Sequence, residues 1–145
     1  MENQVHENCA IWMAMETISP KWTIHIILEL MTAGEDSLSY GDIQKLIPGI
    51  NPRMLAIRLS SLIEAGLVIK ILENPHTPKK VRYKLTDTGK DLVSIIIQVR
   101  RWAVDNLKPN ERCLNDQCRH ATEIQKFLSE HPEKRTLVYL DVSKP

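Results

Sequence analysis

Two stretches of the chain hold residues whose types and spacing bear on chemistry. Residues 52–65 read PRMLAIRLSSLIEA. On a helix, Leu55, Leu59 and Leu62 fall within one narrow sector and must face a core. Arg53, Ala56, Ile57 and Ser60 occupy the far side, with Met54, Arg58 and Ser61 on the flanks. A helix that met only water would favour Glu and Lys there. This one offers forked donors, hydroxyls, short side chains and methyl groups, which suit the edges of base pairs. Arg can bond guanine acceptors bidentately or grip phosphate, Ser can bond either, and Ile can meet a thymine methyl. The plainer reading makes both arginines ordinary surface charges and sets Ile57 against another helix.

The second stretch is Cys113-Leu-Asn-Asp-Gln-Cys118-Arg-His120. Cys113, Cys118 and His120 can supply three zinc ligands, with Cys9 or His131 as a fourth, but the spacing lacks a second matching pair and assigns no metal. Thiols flanked by Arg112 and Arg119 would also ionise more readily, as a redox pair requires. Incidental structural thiols are the third reading. No glycine-rich phosphate loop, nucleophile elbow or paired metal-ligand motif occurs, so nothing points to an enzyme or to a cofactor.

The composition sets the frame for these residues. With 145 residues, 43% hydrophobic and 26% charged, the chain suits one compact domain with an appendage. No apolar run approaches the roughly 20 residues that cross a bilayer. The acidic, polar start MENQVHENCA argues against a secretory signal, and three scattered cysteines suit a reducing cytoplasm. The net charge of +1 hides a gradient: −5 over residues 1–50, +5 over 51–90 and +1 over 91–145. Attraction to phosphates depends on the local field, so the basic middle segment matters more than the total.

The elements that position these residues are punctuated by caps and breakers. Residues 8–18 make a short helical pattern of little charge. Ser19-Pro20 predicts the cap and first residue of a helix over about 20–33, with Trp22, Ile26, Ile27, Leu30 and Met31 on its apolar face and Gly34 at its end. Residues 35–38 read as a turn, Ser39 as the cap of a brief helix at 40–47, and Pro48-Gly49 as a break. Asn51-Pro52 repeats the cap-then-proline signal and Gly66 closes the helix. Strands are predicted at 67–72 and 81–86 around a polar turn at 73–80, then a helix over 88–107 capped by Thr86 or Asp87 and limited by Pro109. The expected fold is mainly α with a small β hairpin: a winged helix-turn-helix, with a three-helix core, a wing and a long C-terminal dimerisation helix. Residues 1–108 would form this domain and 109–145 an extension of unassigned role, with a helix near 117–131 and a strand near 135–142. Lys79, Lys80, Arg82 and Lys84 fall on the hairpin, where phosphate contacts fix register, while His76 reads as a solvent-exposed turn residue.

The helix at 88–107 is apolar over about 220° of its circumference, roughly twice what one packing partner needs. One side would pack on its own domain and the other, through Ile95, Ile96, Val99 and Trp102, on a second copy. The competing occupant of that second face is the segment 109–145. A twofold dimer would set two recognition helices about 34–36 Å apart and favour a near-palindromic duplex site.

Several ordered motifs resemble the HxlR-type winged helix-turn-helix regulators of the MarR-like group. Cys9 precedes Lys21-Trp22-Thr23, which resembles the family's Gly-Lys-Trp-Thr. Ile47-Pro-Gly-Ile-Asn-Pro-Arg-Met-Leu55 resembles its recognition-helix entry and continues through Arg58-Leu59, Leu62, Glu64 and Gly66-Leu67-Val68. Tyr83-Lys-Leu-Thr-Asp-Thr-Gly89 resembles its Tyr-x-Leu-Thr-x-x-Gly, and Trp102 matches a tryptophan of its last helix. The likeness covers residues 9–105. Pro20 stands where the family has Gly, and Ala10 follows Cys9 where proline is common. The resemblance implies a homodimeric DNA-binding regulator with Arg53, Met54 and Arg58 facing the operator and Lys79 and Lys80 in the wing. It also implies a redox- or electrophile-sensing role for Cys9, beside the plainer reading of a small buried hydrophobe. The expected contact set on double-stranded DNA is Asn51, Arg53, Met54, Ile57, Arg58, Ser61, Lys79, Lys80 and Arg82. The alternative function is a winged-helix module that binds protein without specific DNA binding.

Overall fold

A computed structural model of the chain describes residues 8–73, 76 and 81–134. Lys79 and Lys80 of the wing, and the strand expected at 135–142, lie outside the described residues. In chain order the elements are α1 (Ala10–Ile18), α2 (Thr23–Thr32), β1 (Leu38–Ser39), α3 (Tyr40–Leu46), α4 (Pro52–Glu64), β2 (Val68–Leu72), β3 (Val81–Leu85), α5 (Asp87–Asn106), α6 (Glu111–Leu114) and α7 (Arg119–Glu130). The winged helix-turn-helix predicted from the sequence is the fold observed, with three helices, a sheet and a long helix after it.

The core gathers Ile26, Ile27 and Leu30 from α2, Ile43 from α3, and Leu55, Leu59 and Leu62 from α4. Val68, Tyr83 and Leu85 close it from the sheet, and Val93 and Ile96 from α5. Fully burying each aliphatic side chain stabilises the fold by about 1.5–3 kcal/mol before chain entropy is charged against it. The helix–turn–helix pair is α3 and α4. Ser39 caps α3 in a reciprocal box with Asp42, whose carboxyl is held below its usual range first by the Ser39 backbone N–H.

Four features depart from the sequence expectations. The second helix starts at Thr23, because Ser19 closes α1 and Trp22 takes the N-cap in a left-handed conformation (φ 80°). That backbone costs a non-glycine residue about 1–2 kcal/mol. It is held by the Trp22 carbonyl accepting from Ile26 N–H, by a Thr23 N–H to Pro20 carbonyl bond and by packing of the indole on the core. Second, the hairpin belongs to a three-stranded antiparallel sheet of order β1-β3-β2, with Leu38 opposite Tyr83 and Lys70 opposite Tyr83 on the other side. Leu38, expected to end a turn, forms its edge together with Ser39, which also caps α3 as expected. Third, the short α6 was not expected. Fourth, the segment after 108 shares the core: α7 lies on α2 and buries Ala121, Ile124 and Phe127.

The two-faced reading of α5 separates into real faces. Val93 and Ile96 pack inside, so Ile96 belongs to its own domain's core and not to the outer face expected to include it. Ile95, Val99 and Trp102 are about half exposed or more. Among the described residues after 108, α7 docks on α2, and Ile95, Val99 and Trp102 remain exposed. Every residue of α1 is also outside the core, with Ile11, Met13 and Met15 exposed.

Candidate nucleic-acid interface

The geometry of α4 is fixed at both ends by local chemistry. Asn51 Oδ1 accepts the Met54 N–H at 2.7 Å, and Pro52 fills the first helical turn, where no N–H is needed. Such a cap contributes about 1 kcal/mol. The Tyr40 hydroxyl of α3 donates to the Pro52 carbonyl and ties the two helices together across the turn. At the other end Gly66 adopts φ 76°, Leu67 N–H reaches the Leu62 carbonyl, and the Thr86 hydroxyl donates to the Gly66 carbonyl at 2.6 Å. The helix is therefore pinned to α3 before it and to the start of α5 after it.

With Leu55, Leu59 and Leu62 turned fully inward, the opposite surface is set by periodicity. Arg53, Ala56, Ile57 and Ser60 are exposed, Ile57 by 43%. Met54 is half-buried and packs on the core edge, so its backbone serves the Asn51 cap while its side chain flanks the surface. Ser61 is exposed, and its hydroxyl donates to the Ile57 carbonyl one turn back. Arg58 is half-buried, and its Nε–H donates to the Lys21 carbonyl at 2.8 Å. One edge of that guanidinium thus anchors the left-handed turn before α2 and leaves its terminal nitrogens for anything approaching from outside.

The hairpin cations divide differently from the sequence expectation. Arg82, grouped with the wing, turns towards β1: its guanidinium donates to the Ser37 hydroxyl and carbonyl and sits 3.5 Å from Glu73. Lys84 and Lys90 both reach Glu35, at 3.2 and 3.1 Å. The Lys90 contact, then the Lys84 contact, hold the Glu35 carboxyl below its usual range. These side chains lock the sheet to the loop after α2. Lys70 on β2 is exposed, as are Ile69 and Leu72, and His76 is an exposed turn residue.

The remaining candidates separate clearly. Cys9 is exposed at the start of α1, in contrast to the buried-hydrophobe reading. Cys113 and Cys118 are half-buried neighbours, whereas the His120 Nε2 turns away to Glu29 at 2.9 Å. Among the described residues no group of three or more His, Cys, Asp and Glu stands together as a metal site. Sequence reasoning missed the Glu29 cluster: this carboxylate, 6% exposed, receives Arg119 at 2.7 Å and His120, both from α7. It also missed a cleft of about 300 Å³ beside Arg58, bordered by Glu16, Thr23 and Glu64. A lone charge within an otherwise apolar helical pattern was the only available signal for Glu29.

Comparison with known proteins agrees with this geometry. The HxlR-like helix-turn-helix family matches residues 17–111. The HTH-type transcriptional regulator YvaP of Bacillus subtilis is 30% identical over 97 residues, which span 67% of this chain and 86% of YvaP. A MarR-family transcriptional regulator of Porphyromonas gingivalis is 32% identical, with a TM-score of 0.61 over 70% of this chain and 95% of that one. The reduced form of the transcriptional regulator YodB of B. subtilis is 29% identical, with a TM-score of 0.60 over 71% of this chain and 97% of YodB. These relatives are regulators rather than enzymes, and the chain belongs to the HxlR-like helix-turn-helix family of transcriptional regulators.

Proposed function

We propose that the chain is a sequence-specific regulator of transcription that binds double-stranded DNA as a homodimer in the cytoplasm. In this reading α4 enters the major groove and the wing over 73–80, with Lys79 and Lys80, lies on the phosphate backbone. The observation that carries the proposal is the open outer face of α4. Arg53, Ile57 and Ser60 are exposed on a helix whose two ends are rigidly held. Arg53 is the strongest base-reading candidate, because it is exposed and no described residue bonds its guanidinium. Arg58 is a weaker one, since the Lys21 carbonyl already uses its Nε–H. Asn51, Met54 and Ser61 set the entry and flanks of the helix, and Arg82 acts by fixing the sheet.

Dimerisation is supported by the apolar surface of α5. Ile95, Val99 and Trp102 are 49–58% exposed, and α1 adds Ile11, Met13 and Met15. Large apolar side chains left exposed in this way favour an interaction face. A twofold pairing through it favours a near-palindromic operator. Cys9 opens α1 and is the candidate thiol for an oxidant or electrophile; the reduced form of YodB is among the similar structures.

The test begins with duplex fragments selected from random DNA by the full chain. Arg53→Ala should weaken binding to them by about tenfold or more, since one good bidentate base contact discriminates by about 1–3 kcal/mol. Its circular dichroism should match the parent. Unchanged affinity for Arg53→Ala and Ile57→Ala together would assign the surface to a protein partner instead. Cys9→Ser should bind DNA as the parent does and lose the response to a thiol oxidant; a retained response would move the sensor elsewhere.

A further inference from the structure

The family match ends at residue 111, and the next two residues that carry chemistry are Cys113 and Cys118. The fold brings them together. After α6 the chain reverses through Asp116 (φ 55°), with Asn115 N–H bonded to the Glu111 carbonyl and Gln117 N–H to the Arg112 carbonyl at 2.7 Å. This reversal returns Cys118 to the side of Cys113, so that the two thiols are neighbours.

The two sulfurs sit in unequal surroundings. Cys118 is the N-cap of α7, and its sulfur accepts the Ala121 N–H at 3.4 Å. Arg100 of α5 lies beside the pair: its guanidinium donates to the Cys113 carbonyl at 3.0 Å and to Asp116 at 2.8 Å. Burial opposes ionisation of Cys118, but the Ala121 N–H, the Cys113 thiol and Arg100 together outweigh it and hold this thiol below its usual range. The neighbouring Cys118 sulfur, first, and burial push the Cys113 thiol up. Cys118, capped by a backbone N–H, is thus the more readily ionised sulfur and Cys113 the less readily ionised one. Both are half-buried and so remain partly open to solvent.

We propose that Cys113 and Cys118 form a hydroperoxide-reactive dithiol, with Cys118 as the attacking sulfur and Cys113 as the resolving one. The Cys118 thiolate attacks one peroxide oxygen; the S–O bond forms as the O–O bond breaks, and the departing oxyanion takes up a proton. The Cys113 sulfur then attacks the resulting sulfenic acid, losing its proton as the S–S bond forms and water leaves. Two thiols lose two electrons in all, and the hydroperoxide is reduced to an alcohol, or to water, plus one water. The disulfide would replace the sulfur that caps α7, one residue before Arg119 and His120 fasten that helix to Glu29 of α2.

The experiment uses the full chain carrying Cys9→Ser, so that only this pair can react, and does not depend on DNA binding. After hydrogen peroxide treatment and trypsin, the peptide of residues 113–119 should be two hydrogens lighter, and reduction should restore it. Adding Cys113→Ser should stop the reaction at a sulfenic acid on Cys118 that dimedone captures. Cys118→Ser, which keeps a capping oxygen, should leave Cys113 no faster than a thiol in the unfolded chain. Arg100→Gln should slow Cys118 by roughly threefold for each tenfold of thiolate lost. Capture of Cys113 in place of Cys118, disulfides only between chains, or a Cys118 no faster than an unfolded thiol would each overturn the proposal.

Discussion

Gly89 offers the sharpest perturbation, because helix propensity and packing give it opposite signs. It lies in the first turn of α5, where replacing glycine by alanine in an open helix would stabilise by about 1 kcal/mol. At this site an added Cβ would stand 2.1 Å from the Leu67 carbonyl oxygen and 3.2 Å from the Leu85 side chain. The oxygen is backbone and cannot swing aside. It also accepts the Thr86 N–H at 3.1 Å, so it is fixed by the corner it helps to form. Restoring ordinary contact means moving α5 and the α4–β2 corner apart by roughly 1 Å or more, and overpacking of this kind costs typically about 1–3 kcal/mol and occasionally more. Because the strained atom is backbone on both sides, the upper part of that range applies and exceeds the propensity gain. Gly89→Ala should therefore be less stable by about 1–2 kcal/mol. Urea unfolding followed by circular dichroism reads this as a lower midpoint at unchanged slope. A midpoint equal to or above the parent's would refute the packing argument and mean that the two corners slide freely.

Two further outcomes follow from the exposed face of α5 and the Glu35 network. Val99→Asp should leave the monomer's stability within about 0.5 kcal/mol, as a surface change does. It should weaken self-association by on the order of a hundredfold or more, since an unpaired carboxylate would be buried in the dimer; unaltered sedimentation would place the dimer face elsewhere. Glu35, held below its usual range by Lys90 and then Lys84, contributes its stability above the ordinary glutamate pKa of about 4.3 and loses it as pH falls through the lowered value. Glu35→Gln should flatten the acid side of the stability profile below that pH, and a variant with the parent's acid slope would mean the three charges act independently.

Much of this architecture was legible because it is set by neighbours in sequence. Ser39 with Asp42, Asn51 with Pro52, Gly66 and Thr86 all act within a few residues of themselves, and each does what its type and place predict. The leucine stripe of α4 is legible for the same reason. Ser19-Pro20 carried the same cap signal and misled, because the Trp22 indole reaches the core only if the chain turns once more before α2 begins. The two-residue β1 has no period to detect and exists because β3 offers it an edge. Long side chains were the other blind spot. Periodicity sets Arg58 and Arg82 on outer surfaces, but each is long enough to fold back onto a carbonyl from a distant part of the chain. The sequence pattern sets Ile96 on the outer face beside Ile95, because the apolar arc of α5 covers both sides and does not say where the core ends.

The central claim is that the outer face of α4 enters a duplex, and photocrosslinking tests it most directly. A photoreactive side chain at position 57, in the full chain bound to a selected fragment, should attach to bases within the site. The yield should fall steeply as salt rises, as phosphate-driven binding requires. The same group at Thr122, exposed on α7, should not attach. Attachment from position 57 to protein alone, or equal DNA yields from both positions, would contradict the account.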